Sequence, residues 1–398
     1  MISEHIVETR MTLQEFRNQM PITEECIYFQ TGTASPTPGE VLEAVDRIMR
    51  FQSRYGPANP EMREQLYPQV FEAKSKLASL LNTSSEELAW VTNTTQGMQL
   101  IVRGLSWKEG DEVIISSAEH ISSRVMWKGL AQRYGMTVTV VPTGETDETF
   151  LEALKKQMTA RTRLISISHV STLDGRRLPV TAVSALAREQ GIPTLIDGAQ
   201  AIGQFPVDLR EIGCDFYTAS GHKWLFGPVG LGFVYVARPQ LPGISPYIIP
   251  EPEDSADYQR YVRPLSAGVR IELGTSSSAL PIGLGTAVDL VSTIGLETIE
   301  AHTSGLVEQL RTGLEAIDEV EFVTPEPQVV KGSGLLSFVL RERDADAIQH
   351  IVRTMLERHR IVIKHQQEIC GIRLSPACFN TDQEVAVFLR SFQEMMAA

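Results

Sequence analysis

Cysteine is scarce in this chain: Cys26, Cys214, Cys370 and Cys378 are its four, none in a C-x-x-C pair. Thiols so widely spread argue against a disulfide framework and suit a reducing compartment. No apolar run approaches the ~18 residues that a membrane span needs. The opening MISEHIVETRMTLQEF is charged and lacks the apolar core of a signal peptide. A cytoplasmic protein with no membrane partner is therefore expected. Positive charge is also short, 36 basic residues against 49 acidic, for a net charge of −13. Phosphate backbones are bound by clustered positive charge, so nucleic acid is not an expected partner. Internal repeats and low-complexity segments are absent.

What is present describes an ordinary globular chain, 398 residues long, with 42% hydrophobic and 21% charged residues. That length can bury a large core and make two domains. Apolar runs at 88–93, 112–116, 164–171 and 194–197 read as strands. Helical stretches lie between them, one opening at Thr94 with hydroxyls at its cap and one over 180–190. This alternation predicts a mainly parallel sheet with helices on both faces. Ligands of such sheets gather at the strands' carboxyl ends. A helical stretch centred on 296–314 leads into further strands near 335–340 and 360–364. Residues 239–270, rich in Pro, Tyr and acids, read as a surface excursion.

Two stretches carry chemistry. In the first, Ser220-Gly221-His222-Lys223-Trp224, a strand ends in a polar turn presenting one lysine, and glycines follow. Such an amine can form an imine with a carbonyl cofactor. Taken alone, it is as readily a solvated lysine. In the second, Thr194-Leu195-Ile196-Asp197-Gly198-Ala199-Gln200, an apolar strand ends in an acid and small residues, 26 positions before Lys223. Pyridoxal 5'-phosphate needs an aspartate at its pyridine nitrogen, a small residue beneath the ring and a lysine at its aldehyde. The paired motifs D-G-A-Q and S-G-H-K resemble the class V aminotransferase/cysteine desulfurase family, and the resemblance runs over nearly the whole chain.

The resemblance implies a fold-type I α/β enzyme. Its parts would be a seven-stranded, mainly parallel sheet in residues 21–285, a smaller α+β domain in 286–398, and a segment 1–20 packed on the latter. It implies Lys223, Asp197 and His120 as catalytic groups, His120 stacking on the cofactor ring and able to relay protons. Ala199 would lie beneath that ring, with Gln200, Ser220 and His222 beside it. Thr94 and Thr95 would hold the cofactor phosphate at a helix start, although ordinary capping explains them equally. Thr172 stands where desulfurase-type relatives usually carry Asn against the cofactor's phenolic oxygen. In the R-I-E-L-G-T stretch, Thr275 would reach the phosphate site of the other subunit in a homodimer with shared active sites. Arg373 would anchor the carboxylate of a small amino-acid substrate through two parallel hydrogen bonds. Lys364 would be a second basic group, and Thr33 would lie in a loop over the substrate.

Relatives of the desulfurase type carry a nucleophilic cysteine on a flexible loop before that arginine, as R-x-H-x-x-C. Here the stretch Lys364-His365-Gln366-Gln367-Glu368-Ile369-Cys370 is short, and the loop looks deleted. Cys370 reads as a packed core cysteine on the arginine's own strand, and Cys378 lies beyond the arginine. Without that thiol, the expected outcome is β-elimination, as in L-cysteine/cystine C–S lyases of this class. A cysteine desulfurase, or an aminotransferase or isopenicillin N epimerase-like enzyme, is the alternative. No metal is expected.

Overall fold

A computed structural model describes residues 10–244, 266–272 and 274–397. Its centre is a seven-stranded sheet in the order Leu88–Val91, Gly232–Val236, Phe216–Ser220, Thr194–Asp197, Thr162–Ser168, Glu112–Ser116, Thr137–Val141. Gly232–Val236 runs antiparallel to both of its neighbours, and the other adjacent strands pair in parallel. Alternation across the pleat fills two cores. Val113 and Ile115 join Leu164, Leu195 and Phe216 on one face, while Ile114 joins Ile165, Ile167 and Ile196 on the other. Both faces are buried under helices, which is why these strands read as unbroken apolar runs.

A second sheet of four antiparallel strands has the order Lys364–Gln366, Gly371–Leu374, Leu336–Leu340, Val320–Phe322. It forms its own core, in which Phe338, Leu374, Ile351 and Phe392 are buried. The stretch read as one strand over 360–364 is divided. Ile361–Val362 pairs in parallel with Ile27–Tyr28, and Lys364 begins the edge of the four-stranded sheet. The helical stretch centred on 296–314 is the helix Leu296–Leu314, and a separate helix, Ala279–Ile294, precedes it, the two parted at Gly295 with φ +91°. A positive φ suits glycine and ends the first helix there.

The helix Leu13–Asn18, closed by a Thr12/Glu15 capping box, touches both bodies. Arg17 donates to the Phe379 carbonyl and to Glu384, while Phe16 meets the Phe226 ring edge-on at 4.9 Å. Residues 1–9, and most of the 239–270 excursion, lie outside the described residues. Among the described residues no single helix is long and apolar enough to cross a membrane.

Candidate active site

Three parallel strands end side by side at Ser168, Asp197 and Ser220. The turns beyond them surround a cavity of about 330 Å³ lined by Lys223, Asp197, His120, Ala199, Gln200, Ser220 and His222, with Thr33, Thr94, Thr95 and Thr172. Eleven of the fourteen residues singled out from the sequence therefore meet in one place. The other three are Arg373, Lys364 and Thr275.

Asp197 is buried, and one of its carboxylate oxygens accepts the Ala199 N–H at 2.9 Å. The other oxygen has no hydrogen-bond partner among the described residues. Burial pushes its pKa up, against the Ala199 N–H and the nearby charge of Lys223. Gly198 leaves no room for a side chain, since a Cβ there would stand 1.9 Å from the Tyr217 ring. Tyr217 in turn hydrogen-bonds His169 at 2.9 Å, bracing the strand end from behind.

Lys223 is partly buried at the cavity wall, and desolvation lowers its pKa to about 8, aided by Arg373 and Lys364 and opposed by Asp197. A protonated amine has no lone pair for an aldehyde, and below its pKa the neutral fraction grows tenfold per pH unit. Uptake of pyridoxal 5'-phosphate by the cofactor-free protein, followed by absorbance, is thus expected to accelerate about tenfold between pH 6 and 7. It should level off above pH 8. A midpoint near the ordinary lysine value would show the amine to be solvated.

His120 caps the helix Ile121–Tyr134. Its Nδ1 accepts the Ser122 N–H at 3.2 Å and lies 2.7 Å from the Ser122 hydroxyl, which receives the Thr95 hydroxyl at 3.1 Å. Accepting at Nδ1 leaves a proton on Nε2 in the neutral ring. Burial, and then the charge of Lys223, lower its pKa and favour that neutral ring. Ser122 was not anticipated from the sequence; a serine two places after the histidine is an ordinary N-terminal helix residue.

The helix Thr94–Gly104 is capped by Asn93, not by the threonines: Asn93 Oδ1 accepts the Gln96 N–H at 2.9 Å. The Thr94 N–H and hydroxyl both meet Ser220 Oγ, at 3.0 and 2.8 Å. The Thr95 N–H has no partner among the described residues. Facing the same cavity is His222, whose buried Nδ1 is also unpartnered. An open amide at the start of an eleven-residue helix, next to hydroxyls and an unpaired imidazole nitrogen, suits a phosphate.

Gln200 is committed otherwise than expected. Its side chain donates to the Gly32 carbonyl at 2.8 Å and accepts from the Trp224 indole at 2.8 Å. It ties the loop after Ile27–Tyr28 to the residue following Lys223, and Ser35 N–H to the His222 carbonyl at 2.8 Å ties it again. Thr172 is likewise engaged, its hydroxyl accepting from Arg373 at 2.7 Å.

Arg373 is 1% exposed. Besides Thr172 it donates to Thr33 at 3.0 Å, and its Nε has no partner. No described carboxylate pairs with it, and burial lowers its pKa to about 10. A buried guanidinium held by neutral hydroxyls is incomplete without an anion. Lys364 is its cross-strand neighbour, half-buried, its pKa lowered to about 8 by burial and then by Arg373.

Thr275 stands apart and exposed, lining a different cavity with Trp90, Gln96 and Glu272. Cys370 also departs from the expectation. It closes a single 3-10 turn, Gln367–Ile369, at φ +50° and is half-exposed, so it belongs to the turn and not to the strand core. Cys378 is buried, which raises its thiol pKa far above the usual range.

The aminotransferase class-V family model matches residues 27–388. A probable cysteine desulfurase of Methanothermobacter thermautotrophicus is 26% identical over 403 aligned positions, covering 97% of this chain and 98% of the relative. A cysteine desulfurase of Escherichia coli is 29% identical, covering 92% of this chain and 93% of its own. Among solved structures, the apo cysteine desulfurase of Thermococcus onnurineus superposes with a TM-score of 0.84 at 24% identity, covering 97% and 98% of the two chains. A cystine C–S lyase in complex with its product cysteine persulfide superposes at 0.83 and 24%, covering 94% and 99%. These likenesses place the chain in the fold of both.

Proposed function

The chain belongs to the aminotransferase class-V family, whose cofactor is pyridoxal 5'-phosphate, and from that premise we propose that it is a C–S lyase. The reaction is β-elimination on L-cysteine, L-cystine or a related S-substituted cysteine, giving pyruvate, ammonia and the sulfur leaving group. The residues present fit the cofactor. The unpaired oxygen of Asp197 would accept a ring N–H, and a positive ring would offset the burial of that acid. The open Thr95 amide, the Thr94 and Ser220 hydroxyls and His222 Nδ1 would hold the phosphate, and His120 would present a neutral imidazole to the ring.

Bound there, the cofactor supplies a carbonyl carbon for amines and a sink for the Cα electron pair. The chain's own groups do the rest. Arg373 takes the substrate carboxylate in a two-pronged grip, with Thr33 and Thr172 holding its guanidinium in plane. Lys223 Nζ, neutral above about pH 8, takes the Cα proton. The Cα–Cβ bond becomes double as the Cβ–S bond breaks, and sulfur departs with the bonding pair. Water then converts the three-carbon fragment to pyruvate and ammonium. Cystine suits this course because a persulfide leaves more readily than a plain thiolate.

One observation carries elimination over desulfuration. The hairpin that in a desulfurase would bear a mobile thiol is here closed by a three-residue turn. Cys370 lies three residues before Arg373, about 10 Å along an extended strand, and Cys378 is sealed in the core. The relatives named cysteine desulfurase keep that second reading alive, and products separate the two. Offered cysteine and cystine separately, the holoenzyme is expected to release pyruvate and not alanine. Cys370→Ser and Cys378→Ser should retain more than about half of that turnover. Alanine as product, or loss of activity in a folded Cys370→Ser variant, makes it a desulfurase.

The working form in this reading is a homodimer. Thr275 stands outside its own chain's cavity, and Leu42 with Met49, and Tyr67 with Phe71, are exposed apolar pairs on the helices Gly39–Tyr55 and Pro60–Leu80. Apolar side chains at those spacings form stripes that a second subunit covers.

A further inference from the structure

We propose that Glu119 supplies a second negative charge, beside that of Asp197, for the positively charged ring of pyridoxal 5'-phosphate, and so tightens the hold on the cofactor. The inference concerns the cofactor site and is independent of whether elimination or desulfuration follows. Glu119 stands in the turn after the strand Glu112–Ser116 and is 0% exposed. One of its oxygens accepts the Ser116 hydroxyl at 2.5 Å and the Ser168 N–H at 2.8 Å, and the other accepts the Ser168 hydroxyl at 3.0 Å. Three donors turned on one carboxyl make a seat for its ionised form. Among the described residues no basic side chain pairs with it, so the seat leaves a buried charge uncompensated.

Ser168 is also the link to Asp197. The two residues are paired in register on adjacent strands, and both line the cavity, whereas Glu119 stands outside its wall, held by Ser168. The two acids are close enough to act on one another. Burial, and after it the charge of Asp197, raise the Glu119 pKa to about 7, against the Ser116 and Ser168 hydrogen bonds.

An isosteric glutamine could accept from Ser116 and from the Ser168 N–H equally well and would bring no charge to bury. What the acid adds over the amide is its charge, and the partner that offsets it is a cation. The positive charges that reach Asp197 from the protein are Lys223 and protonated His120. Linking Lys223 to the cofactor uses its free amine, and burial favours the neutral form of His120. The protonated ring nitrogen is then the cation left to balance both acids.

The test measures dissociation constants at pH 8, where Glu119 is largely ionised, by titrating cofactor-free protein with two ligands. One is pyridoxal 5'-phosphate, and the other is its deaza analogue, in which a C–H group replaces the ring nitrogen. Glu119→Gln is expected to weaken the natural cofactor about tenfold and to leave the analogue within about twofold, because the lost charge acts on the ring's charge and not on its shape. Ser116→Ala removes one of the three donors and so favours the neutral acid; it should shift the same ratio in the same direction by a smaller factor. That second variant decides the matter if Glu119→Gln does not fold. Equal weakening of both ligands would make Glu119 a structural clasp between two strands, and unchanged binding of both would show that its charge does not reach the ring. Either result overturns the proposal. Binding is read without turnover, so the lyase reading stands or falls separately, on the pyruvate assay.

Discussion

Lys223→Ala is expected to abolish pyruvate release, by about a thousandfold or more, while the protein folds normally. Two losses combine. In the proposed mechanism the variant would lack both the amine that seats the cofactor and the base for the Cα proton, the latter a contribution of about 10²–10⁴ by itself. The near-visible absorbance of the holoenzyme should vanish or change with the substitution. Stability should move the other way in the cofactor-free protein. Burial holds the Lys223 pKa near 8, against 10.5 for a free lysine. Below pH 8 the amine is charged in both folded and unfolded chains, and the folded chain carries the full burial cost. That cost is on the order of 3 kcal/mol at about 1.4 kcal/mol per pKa unit, and it lessens only as pH rises from 8 toward 10.5. At pH 7 the cofactor-free Lys223→Ala variant should thus melt at or above the wild type. Pyruvate release retained by the variant, or collapse of the fold, would each refute the assignment.

Arg373→Ala is expected to lower kcat/KM for cysteine and cystine by about a hundred- to a thousandfold, chiefly through KM. Two charge-assisted hydrogen bonds in a water-poor site are worth about 1.5–3 kcal/mol each. Lysine in its place should recover only part of the loss, because a point charge cannot reproduce the fork. The Thr172 and Thr33 hydroxyls form the seat of the guanidinium, so Thr172→Val should give a smaller loss in the same parameter. If Arg373→Ala left KM unchanged and lowered kcat alone, the guanidinium would be acting on the reacting atoms and not on the carboxylate.

Much of the candidate site, in the sense of which residues meet in one cavity, was legible because it is local. Asp197 closes an apolar strand, Ala199 follows it, and Lys223 stands in a glycine-bounded turn; each motif carries its backbone conformation with it. His120 was readable for the same reason, lying just past the Glu112–Ser116 strand. Gln200 and Thr172 were less legible. Both line the cavity, but their hydrogen bonds run to Gly32, Trp224 and Arg373, from 24 to 201 positions away. Nothing in the neighbouring sequence distinguishes a glutamine that faces a ligand from one that staples a loop. Cys370 was misplaced for a related reason, since a residue next to a strand pattern reads as strand until the turn geometry is known.

The sequence by itself determined the layered α/β fold, the family and the strand ends at which its chemistry gathers. Apolar periodicity, helix caps and short motifs are properties of neighbouring residues, and they survive without coordinates. Tertiary structure alone decided which polar atoms remain unpaired. Among the described residues no acid forms an ion pair with Arg373, Lys364 lies across from it on the next strand, and Thr95 and His222 bring open groups to one cavity. Those facts arise where distant segments meet, because desolvation and charge pairing depend on distance in space and not on separation along the chain.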